Sequence, residues 1–404
     1  MKLQTIYINI IMLIGCLAIL PGCTKSIEAI IPTSVSIRYE EKELADVLAG
    51  EKNLLLFNQA FNRLALAGQL SANTGYTIFA PTDSAFNAAG ITTQSISSMP
   101  VKDLQKLITQ YIVVAAVDRA ALENTITSVG LNTLRQDTIP TANGGTTIRI
   151  TQLYARMSGS VYLNGDNKGT PKTIIKASNG YIYPVSGLIR PFDNRTLLDA
   201  IKSDPDLSLY YEAILIGDSV RQAGLGYDDN SITDINMLKN TGSFMPTILA
   251  PTNKAFRDAG FNTVDDIRQF ATSGYVGYDL DTFTFFIYSK LDSVLKRHTL
   301  YRSGNLSATV RIFYSDLLNP AINNGFYNTY FGPGGSLESV ELKYSTPLAF
   351  SASGNDAYVK WTDDSSQPIL RIPHDAAGST PAINRNLSNG TLIKIDQLFY
   401  PAVK

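Results

Sequence analysis

Thr77-Ile78-Phe79-Ala80-Pro81-Thr82-Asp83-Ser84-Ala85-Phe86 returns 170 residues later as Thr247-Ile248-Leu249-Ala250-Pro251-Thr252-Asn253-Lys254-Ala255-Phe256. Repetition at a fixed offset marks a duplicated unit. Each copy reads as a strand that stops and a helix that starts. Thr-Ile-Phe/Leu is β-branched and apolar, which suits a buried strand, and the proline cannot donate to the next rung of a ladder. Thr82 and Thr252 are N-caps, with Asp83 and Asn253 in the first turn. Phe86 and Phe256 are expected to fold back under their strands, making the stretch a hinge of the core and not a ligand site.

Two further pairs bracket the hinge. Ser178-Asn179-Gly180 through Pro191 matches Ser388-Asn389-Gly390 through Pro401, an Asn-Gly turn followed by a period-two run that reads as a closing strand. At the other end Leu44, Asp46, Leu54, Leu56 and Ala60 recur as Leu197, Asp199, Leu207, Leu209 and Ala213. Phe57, Ala60, Phe61 and Leu64 share one helical face, as do Tyr210, Ala213 and Ile214. Helix, strand–turn–helix and closing strand therefore come twice in the same order.

A module with this opening helix, the Thr-hydrophobic-Phe-Ala-Pro-Thr-Asx-x-Ala-Phe motif and a final pattern of Asn-Gly, an alternating apolar run and Leu-x-x-Pro resembles the fasciclin-like (FAS1) domain. Val161-Tyr162-Leu163-Asn164-Gly165 also resembles the family's segment ahead of the closing motif. The resemblance implies an α+β fold: two tandem domains, each a twisted β-wedge or sandwich with helices packed along it, serving adhesion or ligand binding without catalysis. The expected boundaries are 39–192 for domain 1 and 193–404 for domain 2, the latter with loop insertions. Many family members carry a Tyr-His pair midway, tied in animal proteins to integrin adhesion. Tyr111-Ile112 and Arg297-His298 each keep at most half of it, so an integrin-type partner is not implied. A lone His298, with no companion metal ligand, reads as a structural polar residue.

Lys2, an apolar run from Ile6 to Leu20, and then Leu20-Pro21-Gly22-Cys23 read as a secretory signal with a lipobox. The run is short of a membrane span of about 20 apolar residues. Residues 1–22 are thus expected to be a lipoprotein signal peptide, Cys23 the site of lipid attachment, and 23–38 a lipid-anchored tether. Several acyl chains make such anchoring effectively permanent. Tandem fasciclin-like lipoproteins look like those of Bacteroidota-type bacteria, which places the chain at the outer membrane. Thr24-Lys25-Ser26 carries no acidic run, so display on the surface and on the periplasmic face both stay open.

The composition, 44% hydrophobic and 17% charged, is that of a globular protein with room for two cores. With 34 basic and 35 acidic side chains, the near-neutral balance argues against nucleic acid as a partner. Of two cysteines, Cys16 leaves with the signal and Cys23 takes the lipid, which excludes disulfides, thiolate metal sites and a cysteine nucleophile. No Gly-x-Ser-x-Gly elbow, phosphate-binding loop or His-Glu-x-x-His occurs, and His298 and His374 are the only histidines. Asn164-x-Asp166-x-Lys168-Gly169 has a calcium-loop flavour but puts a lysine at a ligand position. Asp363-Asp364 and Asp279/Asp281 are the carboxylate pairs an acid–base site would draw on, though adjacent acids usually form solvated turns. No enzyme activity, cofactor or metal is expected.

The offset between copies grows from 153 at the opening helix to 170 at the hinge and 210 at the closing strand, so the second module carries the added residues. They are expected in loops within 224–245, near 272–288 and within 313–337, and loops are where scaffolds hold specificity. The last stretch is rich in Asn and Gly and holds Phe326, Tyr327, Tyr330 and Phe331. Flat rings beside amides suit sugars or a protein partner, and these four are the expected ligand contacts. The same rings could instead fold the insertion back onto its domain. The expected function is that of a non-catalytic envelope lipoprotein binding a glycan or an envelope protein, with nutrient capture as its setting. The alternative is a structural or adhesive protein acting through self-association or matrix contact.

Overall fold

In the computed structural model the two copies of the hinge build the same corner. The structure describes residues 35–399 except 71–72, 141–144, 191–192, 226–233, 240–245, 273–274, 280–283, 289, 302–310, 320–325, 330–346, 355, 362–368 and 373–383. Tyr76–Pro81 and Thr247–Pro251 are fully buried strands that end at their prolines. Thr82 and Thr252 cap the helices Asp83–Ala88 and Asn253–Asp258, their side chains accepting from the N–H of Ala85 and of Ala255. Phe86 and Phe256 are buried beneath. The residue after each threonine has a further task. Asp83 Oδ1 accepts from the Leu56 N–H at 2.8 Å, and Asn253 Oδ1 accepts from the Leu209 N–H at 2.8 Å. Each thereby satisfies an orphan donor at the start of the preceding helix, Leu55–Arg63 or Ser208–Leu225.

The strands of the first module are β1 (Ser36–Tyr39), β2 (Tyr76–Pro81), β3 (Ile112–Val113), β4 (Val129–Pro140), β5 (Thr146–Ser158), β6 (Ser160–Leu163), β7 (Asp166–Asn167), β8 (Thr173–Ala177) and β9 (Gly180–Val185). They form one sheet in the order β1-β8-β9-β2-β3-β4-β5-β6-β7. The second module contributes β10 (Thr247–Pro251), β11 (Tyr275–Asp279), β12 (Thr284–Tyr288), β13 (Thr299–Tyr301), β14 (Phe326–Thr329), β15 (Pro347–Ser353), β16 (Asp356–Trp361), β17 (Leu370–Ile372), β18 (Asn384–Leu387) and β19 (Gly390–Ile395). Its sheet reads β18-β19-β10-β13-β14-β15-β16-β17, with β11 and β12 as a separate antiparallel pair. Strand for strand this is the order β8-β9-β2-β3-β4-β5-β6-β7 of the first module. The closing strand lies parallel beside the hinge strand in both, Thr77 opposite Tyr181 and Thr247 opposite Thr391. Gly180 permits that approach: its φ is +153°, and a Cβ there would sit 1.8 Å from the Tyr76 carbonyl oxygen.

The topology corrects part of the reading of added loop residues within 313–337. Phe326–Thr329 is the sheet strand that corresponds to β4, pairing with β13 and β15 and placing Phe326 opposite Ala349 and Tyr327 opposite Leu348. Among the described strands, those without a counterpart in the first module are the β11–β12 pair, inside the stretch expected near 272–288; the helix Asp234–Lys239 lies inside the stretch expected within 224–245.

Ser36–Lys404 forms one compact unit, and the two modules meet inside it through a short helix, Tyr314–Leu317. Asp316 of that helix is completely buried. Its Oδ1 accepts from the Ser128 N–H at 3.1 Å, the Ser128 hydroxyl at 2.8 Å and Arg156 Nε at 3.1 Å, and its Oδ2 accepts from the Phe313 N–H at 3.0 Å. Burial pushes the carboxyl above its ordinary value, and these donors oppose it. Arg156 also donates to the Ser315 carbonyl at 3.0 Å and lies 4.6 Å from the centre of the Tyr162 ring. Asn319 donates to the carbonyls of Thr125 and Ile126, and Phe313 meets Tyr154 edge-on at 5.8 Å. No helix among the described residues is long and apolar enough to cross a membrane.

Candidate binding surface

The strands β4 and β5 are far longer than their neighbours, and the extra length becomes a two-stranded ribbon. Next to them, β3 pairs only at Val113–Thr133 and β6 only with Ala155–Ser158. From Gln136 to Pro140 and from Thr146 to Ile150 the two strands pair with each other alone among the described strands. Strict alternation puts Ile148 and Ile150 on one face, opposite Thr138 and Gln136, and both are exposed, at 67% and 49%. Two isoleucines side by side on an outward strand face form a small apolar strip that a partner could cover. Arg149, on the other face, reaches the Ser388 carbonyl of the second module at 3.5 Å.

At the root of the ribbon a cavity of about 190 Å³ lies against the helix Val101–Thr109, lined by Lys102, Lys106, Arg135 and Asp137 among others. Lys102 and Lys106 are exposed. Burial pushes the Asp137 carboxyl up, but the Thr151 hydroxyl at 2.8 Å and Arg135 Nε at 2.9 Å outweigh it and hold the carboxyl below its ordinary value. Three cations against one carboxylate leave this cavity positive, beside an apolar strand face. Sequence reasoning missed the ribbon. The signal was the alternation Thr147-Ile148-Arg149-Ile150-Thr151, which places apolar and polar residues on opposite faces at the end of a strand.

Of the expected contacts, Phe326 and Tyr327 have their backbone in β14, while their side chains, together with Tyr330, Phe331 and Cys23, lie outside the described residues. The same holds for His374, Asp281, Asp363 and Asp364. In the calcium-flavoured segment, Lys168 Nζ donates to Asp166 Oδ2 at 3.2 Å and to the Leu188 carbonyl at 2.6 Å. Burial pulls the ammonium below its ordinary value.

His298 has a structural place. It is fully buried and stacked on Phe399 at 4.6 Å. Nδ1 donates to the Leu249 carbonyl at 2.8 Å, and Nε2 accepts from the Phe399 N–H at 3.1 Å. Tyr111 stands at the same position in the first module, its hydroxyl accepting from the Ile189 N–H at 2.6 Å. The backbone agrees, since the Tyr111 and His298 carbonyls accept from the N–H of Phe79 and Leu249 respectively. The correct pairing is therefore Tyr111 with His298, one residue away from the register Tyr111-Ile112 with Arg297-His298.

A pH dependence follows. Burial pulls the imidazole from 6.5 down to about 3, so the unfolded chain binds this proton first as pH falls. Stability is complete above about 6.5 and drains away towards 3, with about 2 kcal/mol gone by pH 5. Urea titrations of the wild type and His298→Gln at pH 7 and pH 5 check it. Equal acid sensitivity in both proteins would rule the histidine out as the cause.

Residues 52–191 match the family model for the Fasciclin domain. The first module is fasciclin-like, and the second, which repeats its strand order and its hinge hydrogen bonds, is fasciclin-like too. Fasciclin domains are generally adhesion or binding domains and not catalysts. The chain is also similar to the solved structure of a FAS1 domain pair from the insect cell adhesion molecule fasciclin I, with 14% identity over 86% of this chain and 97% of that one and a TM-score of 0.31. No curated protein matches the chain.

Proposed function

We propose that this chain is a non-catalytic cell-envelope protein, tethered through lipid on Cys23, that binds a glycan or an envelope protein and serves nutrient capture. The ribbon carries the reading: Ile148 and Ile150 stand exposed on a strand pair that projects past its sheet, beside a positive cavity at its root. An apolar strip next to cations suits a partner offering both an apolar face and acidic groups. The match of residues 52–191 to a family of adhesion and binding domains supports a binding role.

Ile148→Asp combined with Ile150→Asp should leave the unfolding midpoint within about 0.5 kcal/mol of wild type, as for exposed sites. Retention of the full chain on isolated envelope glycan or envelope protein should weaken by about tenfold or more. Unchanged retention would move the site elsewhere. The ribbon's edges, unpaired among the described strands, also favour the second reading, adhesion by self-association. Concentration-dependent dimers in sedimentation that vanish in the double variant would select it. For the tether, Cys23→Ser should abolish incorporation of labelled fatty acid; persistent labelling would show that lipid is not carried there.

A further inference from the structure

One residue against the sheet differs between the two modules. In the first, the Val117 N–H donates to the Thr77 hydroxyl at 2.8 Å, and in the second the Ile312 N–H donates to the Thr247 hydroxyl at 2.8 Å. The residues just before them, Ala116 and Arg311, therefore hold the same place. Lys176, Ser178 and Tyr181 correspond in the same way to Asn386, Ser388 and Thr391, since Lys176 pairs with Tyr181 and Asn386 with Thr391 across the Asn-Gly turn. In the second module this place is filled from within. Arg311 is buried, and its guanidinium donates to Asn386 Oδ1 and, at 3.3 Å, to the Ser388 carbonyl. The ring of Tyr154, from the first module, lies against it with its centre 5.2 Å away, and Thr391 is fully buried.

In the first module the side chain of Ala116 is too short to fill the place, and a cavity of about 250 Å³ opens there, lined by Ala116, Lys176, Ser178 and Tyr181 among others. The duplication thus shows what the cavity is: the slot that a planar charged group occupies in its twin. The charge beside the slot has changed as well. Where Asn386 offers an acceptor to Arg311, the first module places a cation, Lys176. Lys176 is exposed and stands in one row with Tyr39 of β1 and Tyr181 of β9, its ammonium 5.5 Å and 6.0 Å from the two ring centres. Tyr39 is 71% exposed. A cation with a ring on either side selects an occupant that is anionic and has a flat face to lay on tyrosine, and an acidic sugar offers both. The cavity is smaller than the about 300–1,000 Å³ of sites for drug-sized ligands, which suits a single sugar ring.

We propose that this slot binds one uronic acid residue of an acidic glycan, its carboxylate on Lys176 and its ring against Tyr181. In the sheet order β9 lies three strands from β4, so the site stands apart from the ribbon and does not depend on the ribbon's role. The probe is a fluorescent trimer of galacturonic acid, titrated against the full chain by anisotropy. Saturable binding is expected, weakened about tenfold or more by Lys176→Gln, which removes the cation. Ala116→Met, which fills the slot from the position of Arg311 without adding charge, should weaken it as well, and so should methyl esterification of the trimer. Thermal midpoints establish that the variants fold, and Lys176→Gln, at an exposed site, keeps the test open whatever Ala116→Met does to the fold. The Ile148→Asp, Ile150→Asp double variant should bind the trimer as the wild type does, which separates this result from the one at the ribbon. Absence of saturable binding, equal binding by the wild type and Lys176→Gln, or loss of binding in the ribbon variant overturns the proposal. Hexaglutamate bound as tightly as the trimer would overturn the sugar assignment.

Discussion

Phe86→Ala and Phe256→Ala are each expected to cost about 3–5 kcal/mol, near the top of the range for single substitutions. Both rings are buried, at 0% and 1% exposure, at corresponding corners. Phe256 also meets Phe261 edge-on at 6.3 Å, a contact worth about 0.5–1.5 kcal/mol beyond burial. Truncation opens a cavity that the corner cannot collapse to fill. It is fixed on one side by the Thr82 or Thr252 cap and on another by the Asp83–Leu56 or Asn253–Leu209 hydrogen bond. Chemical denaturation of the two variants measures the cost directly. A loss below about 1 kcal/mol at either site would show a ring that is not part of the core.

This corner was legible because its residues act locally. A threonine caps the helix that follows it, a proline ends a ladder, and a glycine lets one backbone approach another, whatever the rest of the chain does. The tandem α+β architecture was legible for the same reason, since the local pattern occurs twice. What composition suggested in place of geometry fared less well. Asn, Gly and aromatic residues around Phe326 read as a loop, yet Phe326–Thr329 is a sheet strand whose place is set by its partners β13 and β15. Letter matching put Tyr111 one residue out of register with His298. The two share a position because both accept from an N–H in the segment that follows the closing strand, Ile189 or Phe399, and no sequence pattern carries that information. Ser128, Arg156 and Asp316 were invisible for a related reason: Arg156 and Asp316 are 160 residues apart, and each alone looks like an ordinary surface charge.

That buried pair is where the two modules are joined, and Asp316→Ala should cost about 3–5 kcal/mol, because it strands a guanidinium that is only 2% exposed. Arg156 would keep the Ser315 carbonyl and the Tyr162 ring, which do not neutralise it. Replacing both partners by apolar residues of similar size, Arg156→Met with Asp316→Leu, should recover much of the loss, since the desolvation of both charges goes with them. Calorimetric unfolding of the full chain tests the arrangement most directly. Two modules docked through Asp316 predict one cooperative transition in the wild type, and in Asp316→Ala a lower, split transition. Two independent transitions already present in the wild type, or an Asp316→Ala profile that overlays it, would contradict the docking of the modules through this residue.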